Sequence, residues 1–194
     1  MCSFDHKVRC EWAVGNPLLV TYHDEEWGVP LHDDRRLFEN FVLDGFQAGL
    51  SWLTILKKRP AFRIAFDNFD IHKIAEYNEN KIIQLMGNED IIRNRSKIMA
   101  AISNAKKIIE IRKEYGNFNN YLWQFTDGKP IINNWQTIKE IPPNSKESDT
   151  MSRDMKKRGL SFAGSTICYA FMQAVGMVND HIESCFCYQK VNKL

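Results

Sequence analysis

The segment Leu43-Asp44-Gly45-Phe46-Gln47-Ala48-Gly49-Leu50-Ser51-Trp52 gathers a carboxylate, an amide, an indole and two glycines. Glycine allows a backbone to approach a ligand closely, and a flat aromatic side chain can stack on a planar ring. On residue types alone the same segment is equally a turn between two helices, with Trp52 in the core. A second group is Gly159-Leu160-Ser161-Phe162-Ala163-Gly164, preceded by Lys156-Lys157-Arg158 and followed by Ser165-Thr166. Glycines there permit positive φ, and a helix beginning at Ser165 turns its positive dipole end outward, where a phosphate can sit. A helix, this turn and a second helix resemble a helix-hairpin-helix DNA-binding element; an ordinary αα-hairpin fits as well. Third, His181 and Cys185 lie about one helical turn apart, a workable bite for zinc, although such a pair is often incidental.

The elements that must position these residues are helical. Leu37, Phe38, Phe41 and Val42 fall at helical spacing before Asp44, with Asp33 or Asp34 as N-cap. Ser51 can cap the next helix, which is expected to stop before Pro60. Short helices are expected around 61–66, 71–77 and 81–86. The clearest runs from about Arg95 to Tyr115, where Ile98, Ala101, Ile102, Ala105, Ile108 and Ile109 form one stripe and Gly116 ends it. Another covers 118–125. The stretch 126–146 has Gly128-Lys129-Pro130 and Pro142-Pro143 as breakers and is expected to hold no sheet. A polar helix to Arg158 and an apolar one from Ser165 to about Val175 complete an all-α chain.

A chain of 194 residues is expected to form one domain over 1–194, with room for two helical lobes and a cleft between them. A net charge of +2 is too mild to imply nucleic acid by itself, but the cations cluster at Lys57–Arg59, Arg93–Lys97 and Lys156–Arg158. Helix C-termini also attract such residues, to offset the dipole. Five cysteines (Cys2, Cys10, Cys168, Cys185, Cys187) without a regular framework argue against a disulfide scaffold and for a reducing compartment. Neither a signal sequence nor a membrane-spanning run is present, so a cytoplasmic protein is expected.

Four motifs occur in order: Tyr22-His23-Asp24-Glu25-Glu26-Trp27-Gly28-Val29-Pro30, Gln47–Trp52, Ile91-Ile92-Arg93-Asn94-Arg95-Ser96-Lys97-Ile98 and Lys156–Gly164. Together they resemble the 3-methyladenine DNA glycosylase I family, over about Cys10 to Tyr188. The resemblance implies a helix-hairpin-helix glycosylase that flips 3-methyladenine out of double-stranded DNA and hydrolyses its N-glycosidic bond, releasing the free base. It implies one structural zinc per chain on Cys10, His23, His181 and Cys185, joining the two ends of the chain. Cys187 is a possible substitute ligand. It makes Tyr22 and Trp52 the residues that stack on the base, where a cationic purine gains cation–π attraction.

Leu50 would wedge into the duplex, and Gln47 and Gly49 would touch the backbone opposite. Lys156, Arg158, Gly159, Gly164, Ser165 and Thr166 would hold the phosphates. The family lacks the catalytic aspartate that related glycosylases carry after their hairpin, and this chain has no acidic residue from Gly159 to Val178. Monofunctional hydrolysis without a strand-cleaving step follows, and a monomer suits it. At Asp44, the expected recognition and catalytic residue, the family pattern has glutamate. Aspartate keeps the charge with shorter reach, so a non-catalytic binder of alkylated or distorted DNA is the alternative.

Overall fold

The structure, a computed structural model, describes residues 7–194; Cys2 lies outside them. The elements are α1 (Pro17–Glu25), α2 (Asp34–Gln47), α3 (Trp52–Ala65), α4 (Ile71–Ala75), α5 (Glu79–Gly87), α6 (Arg95–Tyr115), α7 (Phe118–Trp123), β1 (Ile131–Ile132), α8 (Lys146–Lys157), α9 (Ser165–Ala174), β2 (Val178–Asn179) and α10 (Phe186–Val191). The chain is therefore all-α in class. β1 and β2 form one parallel pair, with Ile131 opposite Val178, so the irregular stretch contributes one short extended segment that pairs with a strand outside it. No helix among the described residues is long and apolar enough to cross a membrane.

Helix starts follow local chemistry. Asn16, Asp33, Ser51, Asp70, Asn78, Asn94, Asn117 and Ser145 each accept a backbone N–H of the helix they precede. Each cap satisfies a donor that the helix itself cannot. α6 ends at Gly116, whose φ of 84° a side chain would disfavour. α3 departs from expectation: it continues through Pro60 to Ala65 and absorbs the short helix expected after it. The missing N–H and the ring are tolerated there because Ile55, Leu56, Phe62 and Ala65 bury on both sides of the proline.

α2 lies at the centre, packed against α3, α6, α7 and α9. Leu37, Phe38, Phe41, Leu43 and Phe46 are fully or almost fully buried in the main core. A second, smaller cluster joins Cys10, Tyr22, Trp27, Leu56, Ile182, Cys185 and Cys187, and Trp52 packs against both. The end of α9 crosses the segment after α1 closely: a Cβ on Gly176 would lie 2.3 Å from the Val29 carbonyl carbon. Main-chain bonds from Gly28 to Gln173 (2.9 Å) and from Leu31 to Val175 (3.0 Å) seal that crossing. The N-terminal segment is thereby fixed against the last long helix.

Candidate active site

Asp44 falls on the stripe Leu37–Phe41–Asp44 of α2, a face that the helical period assigns to the core. It is 4% exposed, and its Oδ2 has no hydrogen-bond partner. Burial pushes its carboxyl well above the usual carboxylate range. Among the described residues, the other buried side-chain atom without a partner is Nε1 of Trp52, the first residue of α3. Both residues line one cavity of about 410 Å³. An unsatisfied buried polar atom is expensive, so two facing one cavity mark the place where a ligand would supply the bonds.

Aromatic rings build one side of this cavity. Tyr22 and Trp52 lie 5.3 Å apart between centroids, Trp12 and Trp27 5.0 Å, and all four residues line it. Burial, reinforced by the Asp44 and Glu26 carboxylates, pushes the Tyr22 phenol well up, which keeps it a neutral, electron-rich ring. The opposite wall is one face of α9, where Thr166, Tyr169, Ala170, Gln173 and Ala174 recur at helical spacing. Ile138, Ile141, Pro142 and Pro143 close a third side. Trp12, Trp27, Tyr169 and Gln173 were missed in the sequence; the polar pair four residues apart on an apolar helix was the available signal.

The loop after α2 carries Gln47, which lines the cavity, Gly49 at φ +82°, and Leu50, which is 42% exposed. Lys97 of α6 pins this loop: its Nζ donates to the carbonyls of Phe46 (2.8 Å) and Ala48 (2.6 Å). Desolvation lowers the pKa of that ammonium. The expected basic clusters are largely engaged within the protein. Arg59 forks onto Glu26, Arg93 pairs with Glu89, and Arg95 pairs with Glu79. Arg158 is held by Glu114, Asp154 and the Tyr115 hydroxyl.

Lys156 makes no such contact among the described residues, and it lines an open cleft with Lys146, Arg153, Asp149 and Ser165. Gly159 has φ +82°, and Leu160 is buried. Gly164 N-caps α9 with open space where a Cβ would be. The Ser165 hydroxyl donates to Asp149 (2.5 Å). Thr166 lines the aromatic-walled cavity and so belongs to its wall.

Behind the aromatic wall, Cys10, His23, His181 and Cys185 converge, all buried, with donor atoms within 4.8 Å of one another. Sγ of Cys185 lies 3.4 Å from Nε2 of His23 and 3.6 Å from Nδ1 of His181, and Sγ of Cys10 lies 3.7 Å from the same Nδ1. Tetrahedral zinc with its usual bond lengths would separate sulfur from nitrogen by about 3.6 Å, so the donor set fits that ion. The remaining ring nitrogens are held from outside: Nδ1 of His23 by Asp24 (2.8 Å), and Nε2 of His181 by the Trp27 carbonyl (3.0 Å). Arg9 in turn grips Asp24 with Nε and Nη2. Hydrogen bonds from the Cys10 and Cys187 thiols hold the Cys185 thiol far below its ordinary value. Cys187 also lies on the far side of His23, its Sγ 4.0 Å from Nδ1 and 3.8 Å from the backbone carbonyl oxygen.

The fold and cavity define a helical protein whose acidic, aromatic pocket suits a flat cationic ring. The methyladenine glycosylase family model matches residues 12–188, and the chain belongs to that family. It is 45% identical over 180 residues to DNA-3-methyladenine glycosylase 1 of Escherichia coli (strain K12), covering 93% of this chain and 96% of that one. A crystal structure of 3-methyladenine DNA glycosylase I superposes with a TM-score of 0.90 at 48% identity, covering 93% and 99% of the two chains. A tyrosine-to-phenylalanine variant of 3-methyladenine DNA glycosylase I, in complex with 3-methyladenine, matches with a TM-score of 0.89 at 32% identity, covering 92% and 96%.

Charging Asp44 where burial strips it of water opposes folding. A carboxyl raised above its unfolded value stabilises the fold below that unfolded value, and the contribution is lost as pH rises through the folded one. Asp44→Asn therefore melts several degrees higher than the parent at pH 8, with the gap narrowing as pH falls toward about 4, measured by calorimetry across that range.

Proposed function

We propose that this protein is a DNA repair glycosylase that releases 3-methyladenine from alkylated duplex DNA. The observation that carries this reading is the unpartnered Asp44 carboxylate, buried at the edge of an aromatic cavity of base size. N3-alkylated deoxyadenosine carries a positive charge, so its purine is already a good leaving group. The enzyme need only extrude the nucleotide, hold the cation and position water. Tyr22 and Trp52 stack on the ring, and stacking on a cation contributes about 1–2 kcal/mol when water is excluded. Asp44 balances the charge and accepts hydrogen bonds from the purine edge, while Trp52 Nε1 offers a donor. The arriving cation also draws the Asp44 proton off, so the carboxylate becomes ionised when the ligand needs it.

No lysine lines the cavity among the described residues, which agrees with hydrolysis and no Schiff-base step. Its 45% identity to a glycosylase over nearly the whole chain does not favour the reading as a binder without turnover.

Leu50, exposed at the tip of the Lys97-pinned loop, wedges into the gap left by the base, with Gln47 and Gly49 beside the opposite strand. α8, the 158–164 turn and α9 act as the helix-hairpin-helix. The α9 N-terminus at Gly164–Thr166 takes a phosphate, with Lys156 and the turn at Gly159 alongside. Arg158 braces this hairpin through Glu114 and Asp154. One structural zinc per chain is held by Cys10, His23, His181 and Cys185, with no coordination position left for water. The chain acts as a single-domain, cytoplasmic monomer.

Incubated with methylated duplex, the protein releases free 3-methyladenine, detected by chromatography; intact methylated DNA after prolonged incubation overturns the reading. Purified protein carries about one zinc per chain, and Cys185→Ala loses the metal and melts lower. Metal analysis that finds none refutes the zinc site. Gly164→Asp places a charge and a Cβ at the phosphate position and weakens binding to any duplex by about ten-fold at low salt, measured by fluorescence anisotropy.

A further inference from the structure

Asp180 is fully buried, immediately before His181, and touches none of the cavity directly. Four donors converge on it. Nδ2 of Asn133 and Nε1 of Trp135 donate to its Oδ1, each at 2.7 Å. The Tyr169 hydroxyl and Nε2 of Gln173 donate to its Oδ2, also at 2.7 Å. An indole nitrogen can only donate, and a carboxylate can only accept, so the direction of these bonds is fixed. Tyr169 and Gln173 stand on the face of α9 that walls the base cavity.

This has a chemical consequence one shell inward. With its O–H committed to Asp180, Tyr169 keeps only oxygen lone pairs for other partners. With its amide nitrogen turned toward Asp180, Gln173 holds its Oε1 turned away. Tyr169 and Gln173 then offer an occupant acceptors only, which join the unpartnered Oδ2 of Asp44; the Thr166 hydroxyl on the same helix face can donate or accept, and Trp52 Nε1 donates. A wall of acceptors favours a ring edge carrying an amino group and disfavours one carrying a carbonyl oxygen, because two acceptors facing each other leave both unpaired.

We propose that Asp180 is a positioning residue for base specificity: through Tyr169 and Gln173 it fixes an acceptor-lined wall that selects 6-amino over 6-oxo purines. The inference rests on the glycosylase reading above and extends it to the choice between N3-alkylated purines.

The test is competition between two bases in the same DNA. Methylated duplex contains both 3-methyladenine and 3-methylguanine; both are cationic and alkylated at the same atom. They differ at the 6-position, at N1–H and by the 2-amino group of guanine, so the change in the ratio between variant and parent is what reports on the α9 wall. Released bases are separated by chromatography, and the ratio of single-turnover rates is taken. Asp180→Asn is the decisive variant. The Trp135 indole requires an acceptor, so the new amide keeps its oxygen there and turns its NH₂ toward Tyr169 and Gln173. Those two must now accept, which presents N–H and O–H to the cavity.

The preference for 3-methyladenine falls by about ten-fold or more, while zinc content is unchanged. A merely structural role would slow both bases together, so a ratio within about two-fold of the parent overturns the proposal. Should Asp180→Asn fail to fold, Gln173→Met removes the inner acceptor with Asp180 intact. It lowers the same ratio by several-fold, and an unchanged ratio there overturns the proposal equally. Release of neither base by the parent protein refutes the glycosylase reading instead, so the two failures are distinguishable.

Discussion

A carboxylate without a partner inside a core is the constraint that this structure is arranged to bear. Isolated ionised groups are too costly to bury, and ordinary folds avoid them or pair them. Here Asp44 is held by α2, the helix that carries Leu37, Phe41 and Phe46 into the main core, and it lines the cavity. Because α2 is gripped by α3, α6, α7 and α9 together, the side chain cannot swing to water without disrupting the core. Rigidity keeps the unfavourable burial in place, so anything that relieved this carboxyl would have to bring hydrogen-bond donors or positive charge to it.

The surroundings reinforce that selection at increasing distance. Tyr22 and Trp52 supply electron-rich faces, and Asp180 orients the side chains opposite them. Behind Trp27, the thiol–imidazole cluster fixes the segment from which the aromatic wall is built, since His181 bonds the Trp27 carbonyl and His23 follows Tyr22 in α1. The wall thus derives its position from residues that never meet the base.

Much of this was legible in the sequence, for definite reasons. α6 was delimited at both ends because an uninterrupted apolar stripe lies between a capping residue and a glycine. Asp44 and Trp52 stood out as polar and aromatic groups beside glycines. Cys10 and His23 came forward only through the family resemblance, because no spacing rule links them to residues more than 150 positions away, such as Cys185 with His23 at |i−j| of 162. Pro60 misled, because tertiary burial on both flanks outweighed the local penalty. Asp180 was invisible for a similar reason: its partners come from positions 133, 135, 169 and 173, and nothing local announces their meeting. The basic clusters promised more free charge than exists, because partners such as Glu26 for Arg59, Glu79 for Arg95 and Glu114 for Arg158 are remote in sequence.

The thiol–imidazole cluster joins residues 10 and 23 to residues 181 and 185, so it closes only when both ends of this span are present. During synthesis the early segment bearing Tyr22 and Trp27 emerges long before the residues that immobilise it. The aromatic wall therefore stays unbraced until the ribosome has delivered residue 185 beyond its exit tunnel. A truncated or nascent chain could display the hairpin and the loop, yet it would lack a finished base pocket. Completion of the pocket is thereby tied to completion of the span that carries both halves of the cluster.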